Sequence, residues 1–129
     1  MVRILVVDDD ARLRAGLQDI LTQAGYDVEI AGNGEEACQA FKRLPVDLLI
    51  TDILMPEKEG IETISALRRV CPGLPIIAIS GGGKESPMFY LEMAREFGAD
   101  VAIQKPFSKA QIIEAVEDLI MKKDGIQEA

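Results

Sequence analysis

The sequence predicts an α/β fold, a doubly wound five-stranded parallel sheet of (βα)5 type with strand order 2-1-3-4-5. Three observations predict it. Short β-branched apolar runs alternate five times with segments of helical period. The first, third and fourth runs are almost uninterrupted, as strands covered on both faces are. Strict strand-helix alternation implies right-handed crossovers and helices on both sides of the sheet.

Residues 2–7, with Ile4-Leu5-Val6-Val7 at their centre, make the first strand. Leu13, Leu17, Ile20, Leu21 and Ala24 then share one helical face, and Gly25 stops that helix. Residues 27–31 are more polar and suit a sheet edge. Asn33 and Glu36 form a capping box ahead of Ala37, Ala40, Phe41 and Leu44. The third strand, residues 46–51, carries Leu48-Leu49-Ile50. Ile61, Ile64, Leu67 and Val70 make the next helix, ended by Cys71-Pro72-Gly73. Residues 75–80 contain Ile76-Ile77-Ala78-Ile79, the fourth strand. Ser86-Pro87 supplies an N-cap and a first-turn proline before Leu91, Ala94 and Phe97, with Gly98 beyond. Residues 101–104 form a second edge strand. The last helix has the fullest set of signals: Ser108 and Gln111 as capping box, Phe107 and Ile112 as staple, then Ile113, Val116, Leu119 and Ile120.

Composition narrows the function. A chain of 129 residues, 48% hydrophobic, buries roughly two-thirds of its surface and needs no disulfide to fold. Residues 1–121 are expected to form one domain and 122–129 a polar tail, leaving no room for a DNA-binding domain. A net charge of −8 argues against nucleic acid as a partner. With no histidine, Ser-His-Asp and Cys-His sites and histidine-ligated metals are excluded. Cys38 and Cys71 are too few for a structural zinc site and suit a reducing, cytoplasmic setting. No apolar run approaches the ~20 residues of a membrane span, so no membrane partner is expected.

Sites in such sheets form beyond the carboxyl ends of the strands, at the switch between the first and third. The first strand ends in Asp8-Asp9-Asp10, the third in Thr51-Asp52, the fourth in Ser80-Gly81-Gly82-Gly83 and the fifth in Gln104-Lys105-Pro106. Taken singly, each has an ordinary use: Asp10 as the cap of the first helix, Asp52 as a turn residue, Lys105 as a solvated lysine, Ser80 as a loop hydroxyl. Together they crowd. Two like charges ~4 Å apart repel by about 4 kcal/mol at an effective dielectric near 20. Such a cluster either raises its pKa values or takes up a cation. Oxygen-only ligands suit Mg²⁺ or Mn²⁺. A divalent ion beside a lysine and a hydroxyl suits a transferring phosphoryl group, with a carboxylate able to act as nucleophile.

These residues resemble the receiver domain of two-component response regulators over nearly the whole chain, in a flavodoxin-like fold. Ile4-Leu5-Val6-Val7-Asp8-Asp9-Asp10 resembles the first strand and acidic pair, and the run from Asp47 to Pro56, with Gly60 beyond, the phosphoacceptor block. Ile79-Ser80-Gly81 resembles the hydroxyl-bearing strand, and Gly98-Ala99-Asp100 through Lys105-Pro106-Phe107 the last strand. The resemblance implies a stand-alone response regulator with Asp52 as phosphoacceptor. Asp9, Asp52 and the Leu54 carbonyl would bind Mg²⁺ (or Mn²⁺), and Asp8 would hold a metal-bound water. Lys105 and Ser80 would meet phosphoryl oxygens, Gly81 would leave access open, and the Lys105–Pro106 bond would be cis. The implied partners are a sensor histidine kinase or histidine phosphotransferase and a downstream protein. The implied catalysis is confined to the chain's own phosphorylation and dephosphorylation.

Two departures stand out. Ala102 occupies the position of the family's usual switch aromatic, and Glu59 stands where Asp is common. Loop motion at Gly81-Gly82-Gly83 is expected to carry more of the response. Three other readings stay open here: a pseudo-receiver interaction module, a Mg²⁺-dependent phosphohydrolase of the haloacid-dehalogenase type with Asp8 as nucleophile and Asp10 as acid, and an FMN binder. The hydrolase reading meets Arg12 where that family prefers Thr or Val, and the FMN phosphate would meet three aspartates.

Overall fold

The computed structural model describes residues 1–53, 59–81, 86–96 and 98–125, without the side chains of 59–61, 87, 90, 91 and 123–125. The order is β1 (Arg3–Val7), α1 (Ala11–Gln23), β2 (Asp27–Ala31), α2 (Gly34–Arg43), β3 (Leu48–Asp52), α3 (Glu59–Val70), β4 (Ile76–Ser80), α4 (Pro87–Glu96), β5 (Val101–Gln104) and α5 (Lys109–Gly125). The strands pair in parallel in the order β2-β1-β3-β4-β5, as expected, with the two polar strands at the edges. No described helix is long and apolar enough to cross a membrane.

Strand alternation divides the core in two. Ile4, Val6, Leu48, Ile50, Ile77 and Ile79 pack against Leu17 and Leu21 of α1 and Ile112, Val116 and Leu119 of α5. Leu5, Val7, Leu49, Ile76 and Ala78 face the other way, onto Ala37 and Ala40 of α2, Ile64 and Leu67 of α3 and Ala94 of α4. Burial on both faces explains the near-continuous apolar strands.

The caps work as the side chains predict. Asp10 Oδ1 accepts from the Arg12 and Leu13 amides at 2.9 and 3.4 Å. Ser108 and Gln111 satisfy each other's amides reciprocally, at 2.7 and 3.1 Å. Asn33 accepts from the Glu36 amide, but Glu36 reaches past Asn33 to the Gly32 amide at 3.0 Å. Gly25 ends α1 at φ 98°, a conformation L side chains rarely adopt.

Some boundaries differ from expectation. Leu44 is not part of the buried face of α2: it is an extended C-cap, half-exposed, because Pro45 disfavours helical backbone in the residue before it. Val70 is likewise exposed. β3 begins at Leu48 and continues through Asp52, which pairs with Ile79. α5 runs past Met121 to Gly125. Leu91's side chain and Phe97 lie outside the described residues.

Candidate functional site

Strand register brings the acidic residues together. Val7 pairs with Thr51, so the next residues, Asp8 and Asp52, leave adjacent strands side by side. Both continue the alternation that points Val6 and Ile50 toward α1 and α5. Asp8 is held in place by three bonds. Its amide donates to Ala31 O at 3.1 Å, its Oδ1 accepts from the Asp10 amide at 2.8 Å, and its carbonyl accepts from Arg14 Nη1 at 2.8 Å. Asp8 and Asp52 are buried and Asp9 is exposed; one carboxylate oxygen of each lies within 4.8 Å of the others.

Among the described residues, one cation is ion-paired with this cluster. Lys105 Nζ donates to Asp52 Oδ2 at 2.9 Å and stands 3.9 Å from Asp8 Oδ2. It comes from the end of β5, whose Lys105 amide donates to Ser80 O at 2.7 Å; the Lys105–Pro106 peptide is cis. Ser80, also buried, closes β4 at the same edge.

The electrostatics are unbalanced. Burial, with the neighbouring Asp52 and Asp9 charges, pushes the Asp8 carboxyl from 3.8 up to about 6, against the Asp10 amide and Lys105, which lower it. Among the described residues, two buried polar atoms of the site lack a hydrogen-bond partner, Asp8 Oδ2 and Ser80 Oγ. An unsatisfied buried polar group costs about 1–3 kcal/mol, so a ligand that satisfies both would be strongly favoured. Three carboxylates with no nitrogen or sulfur donor fit a hard divalent cation.

The structure therefore brings Asp8, Asp9 and Asp52 together, pairs Lys105 with Asp8 and Asp52, and sets Ser80 at the same sheet edge. Leu54, whose carbonyl was expected to complete the metal shell, lies outside the described residues, as do Gly82 and Gly83. Asp10 caps α1 and does not join the cluster. Arg14 was not singled out from the sequence. Its signal is positional: long side chains on a helix lean toward its N-terminus, which here carries the guanidinium back over the exit of β1.

The response regulator receiver domain profile matches residues 4–117. The chemotaxis protein CheY of Thermotoga maritima is 39% identical, the match spanning 88% of this chain and 93% of that protein. The transcriptional regulatory protein CpxR of Escherichia coli is 33% identical over 95% of this chain, which spans about half of CpxR (50%). Among solved structures, a CheY-like receiver domain protein from Methanospirillum hungatei superposes with a TM-score of 0.84 at 29% identity, covering 97% of this chain and 98% of that one. The chain belongs to the response regulator receiver domain family.

Proposed function

We propose that this chain takes a phosphoryl group from a phosphohistidine on a partner kinase or phosphotransferase onto Asp52, in a Mg²⁺-dependent reaction. The observation that carries the reading is the pairing of Asp52 with Lys105 at 2.9 Å beside two unsatisfied polar atoms, Asp8 Oδ2 and Ser80 Oγ. The Asp52 carboxylate attacks phosphorus as the donor's phosphorus–nitrogen bond breaks, giving an aspartyl phosphate and a free imidazole. Lys105 moves from the carboxylate to a phosphoryl oxygen, and the Ser80 hydroxyl donates to another. Asp9, Asp52 and the Leu54 carbonyl would hold the metal, with Asp8 alongside; Mg²⁺ there supplies charge neutralisation for the phosphoryl oxygens. The chain catalyses its own phosphorylation and dephosphorylation and no other turnover.

The output runs through protein contacts or onward phosphotransfer. Ser80 ends β4, which packs against α4 through Ala78 and Ala94, and Met88 and Phe89 of α4 are exposed, so a shift at Ser80 would be passed to the α4–β5–α5 surface. With Ala102 in β5, no aromatic rotamer switch operates at that position. A cytoplasmic location accompanies the reading, supported by two free thiols, Cys38 and Cys71.

The hydrolase reading loses its acid, since the Asp10 carboxylate is engaged with the Arg12 and Leu13 amides. Acetyl phosphate and saturating Mg²⁺ should give an acid-labile phosphate on the wild type that disappears in Asp52→Asn and persists in Asp8→Asn. Persistence in Asp52→Asn with loss in Asp8→Asn would transfer the chemistry to Asp8.

A further inference from the structure

Asp9 differs from its two acidic neighbours in how it is held. Asp8 and Asp52 are buried, and a hydrogen bond fixes the carboxylate of each: Asp8 Oδ1 accepts from the Asp10 amide at 2.8 Å, and Asp52 Oδ2 from Lys105 Nζ at 2.9 Å. Asp9 is exposed, yet one of its carboxylate oxygens stands within 4.8 Å of theirs. Peptide groups are planar, so two planes meet at the Asp9 α-carbon and together aim its side chain. A side chain ties each plane. The Asp10 amide, in the plane after Asp9, donates to Asp8 Oδ1; the Asp8 carbonyl, in the plane before it, accepts from Arg14 Nη1 at 2.8 Å. The strand ladder stops one peptide short: β1 pairs with β2 and β3 as far as Val7, and the Asp8 amide donates to Ala31 O. Arg14 takes over there. Its bond is charge-assisted, a stronger kind than one between neutral groups. Among the described residues Arg14 is ion-paired with no carboxylate, so it offsets none of the cluster's charge by direct pairing.

We infer that Arg14 is a positioning residue for the metal site: by holding the Asp8 carbonyl it fixes the Asp8–Asp9 peptide and turns the exposed Asp9 carboxylate toward Asp8 and Asp52. The metal consequence rests on the proposed uptake of Mg²⁺ at this cluster; the direction of the peptide does not. Charge and position predict opposite signs. Removing a cation beside an acidic site would, by charge alone, tighten the binding of a metal ion there. Losing the brace weakens it, because one of three carboxylates no longer faces the other two. A bond that served stability alone would leave the folded protein's affinity where it was.

The test is Arg14→Met in the full chain, which keeps most of the stem and removes the donor. In metal-free protein, the residual dipolar coupling of the Asp9 N–H, which lies in the plane of the Asp8 carbonyl, should change while those of Val6 and Val7 hold. Mg²⁺ titrated by calorimetry should bind on the order of 10-fold more weakly, the scale for loss of a group that orients a metal ligand. An unmoved Asp9 coupling overturns the inference, and so does an affinity equal to or higher than that of the wild type. If Arg14→Met does not fold, Arg14→Gln takes its place, polar but too short to reach the carbonyl. If neither folds, the bond holds the fold and the inference fails. A wild type that takes up no Mg²⁺, while the Asp9 coupling moves in the variant, refutes the metal reading and leaves the hold of Arg14 on the peptide standing.

Discussion

At the amino-terminal end of the sheet, Arg3 meets Asp27 at 2.5 Å and Glu29 at 3.0 Å, and Arg43 joins Glu29 at 2.8 Å. Across the sheet at that same end, Arg68 of α3 donates to the carbonyls of Pro72, Leu74 and Gly98 and to Asp100, whose carboxylate also accepts the Ile76 amide. At the carboxyl end, Asp8, Asp9 and Asp52 cluster with Lys105, which is ion-paired with Asp8 and Asp52 and is the one such cation among the described residues. The first end matches its charges and ties loops to strands. The second leaves buried charge unbalanced, which lowers stability and fits the uptake of a hard divalent cation. On the proposed function, function and stability are thus divided between the two ends of the same strands.

The contrast breaks most visibly through Arg68. Arg68→Ala strands two part-buried carbonyls, those of Leu74 and Gly98, and should cost about 2–3 kcal/mol, a fall of roughly 6–15 °C in Tm, with Mg²⁺ affinity unchanged by calorimetry. A matching loss of Mg²⁺ binding would show the ends to be coupled.

Next in size is Asp8. The folded chain holds this proton more tightly than the unfolded chain, whose carboxyl titrates at 3.8. That stabilisation is complete below the unfolded value and is lost as the pH rises through about 6. In denaturant titrations of metal-free protein, wild type minus Asp8→Asn should therefore fall by on the order of 1–3 kcal/mol across this window. Asp8→Asn should be the more stable protein at neutral pH and the weaker Mg²⁺ binder. A difference flat with pH would mean that Asp8 is not the strained group.

The smallest effect belongs to the exposed ion pairs. Asp27→Asn should change stability by less than about 1 kcal/mol and leave metal binding alone, since Asp27 is half-exposed. A larger loss would mean that Arg3, whose Nε has no partner, depends on it more than the geometry indicates.

Most of the fold was legible because its signals are local. Capping side chains at Asp10, Ser86 and Ser108 precede their helices, and continuous apolar runs mark strands buried on both faces. Leu44 was misplaced because helical spacing carried it into α2 while the following Pro45 turned the backbone extended. The acidic cluster was legible too, since strand order alone makes the ends of β1 and β3 neighbours. The Arg14 bond and the close approach of Lys105 to Gly81 were not, because each depends on where a side chain from one element ends against the backbone of another.

Residue types and their spacing determined which groups collect at the carboxyl edge, because parallel alternation leaves few arrangements for five apolar strands. Tertiary structure decided the rest. Burial set the proton affinity of Asp8, registry between β4 and β5 laid the Lys105 stem over Gly81, and neighbouring layers left Ser80 Oγ without a partner. Solvation and contact distance are properties of assembled surroundings, and no single segment of the chain carries them.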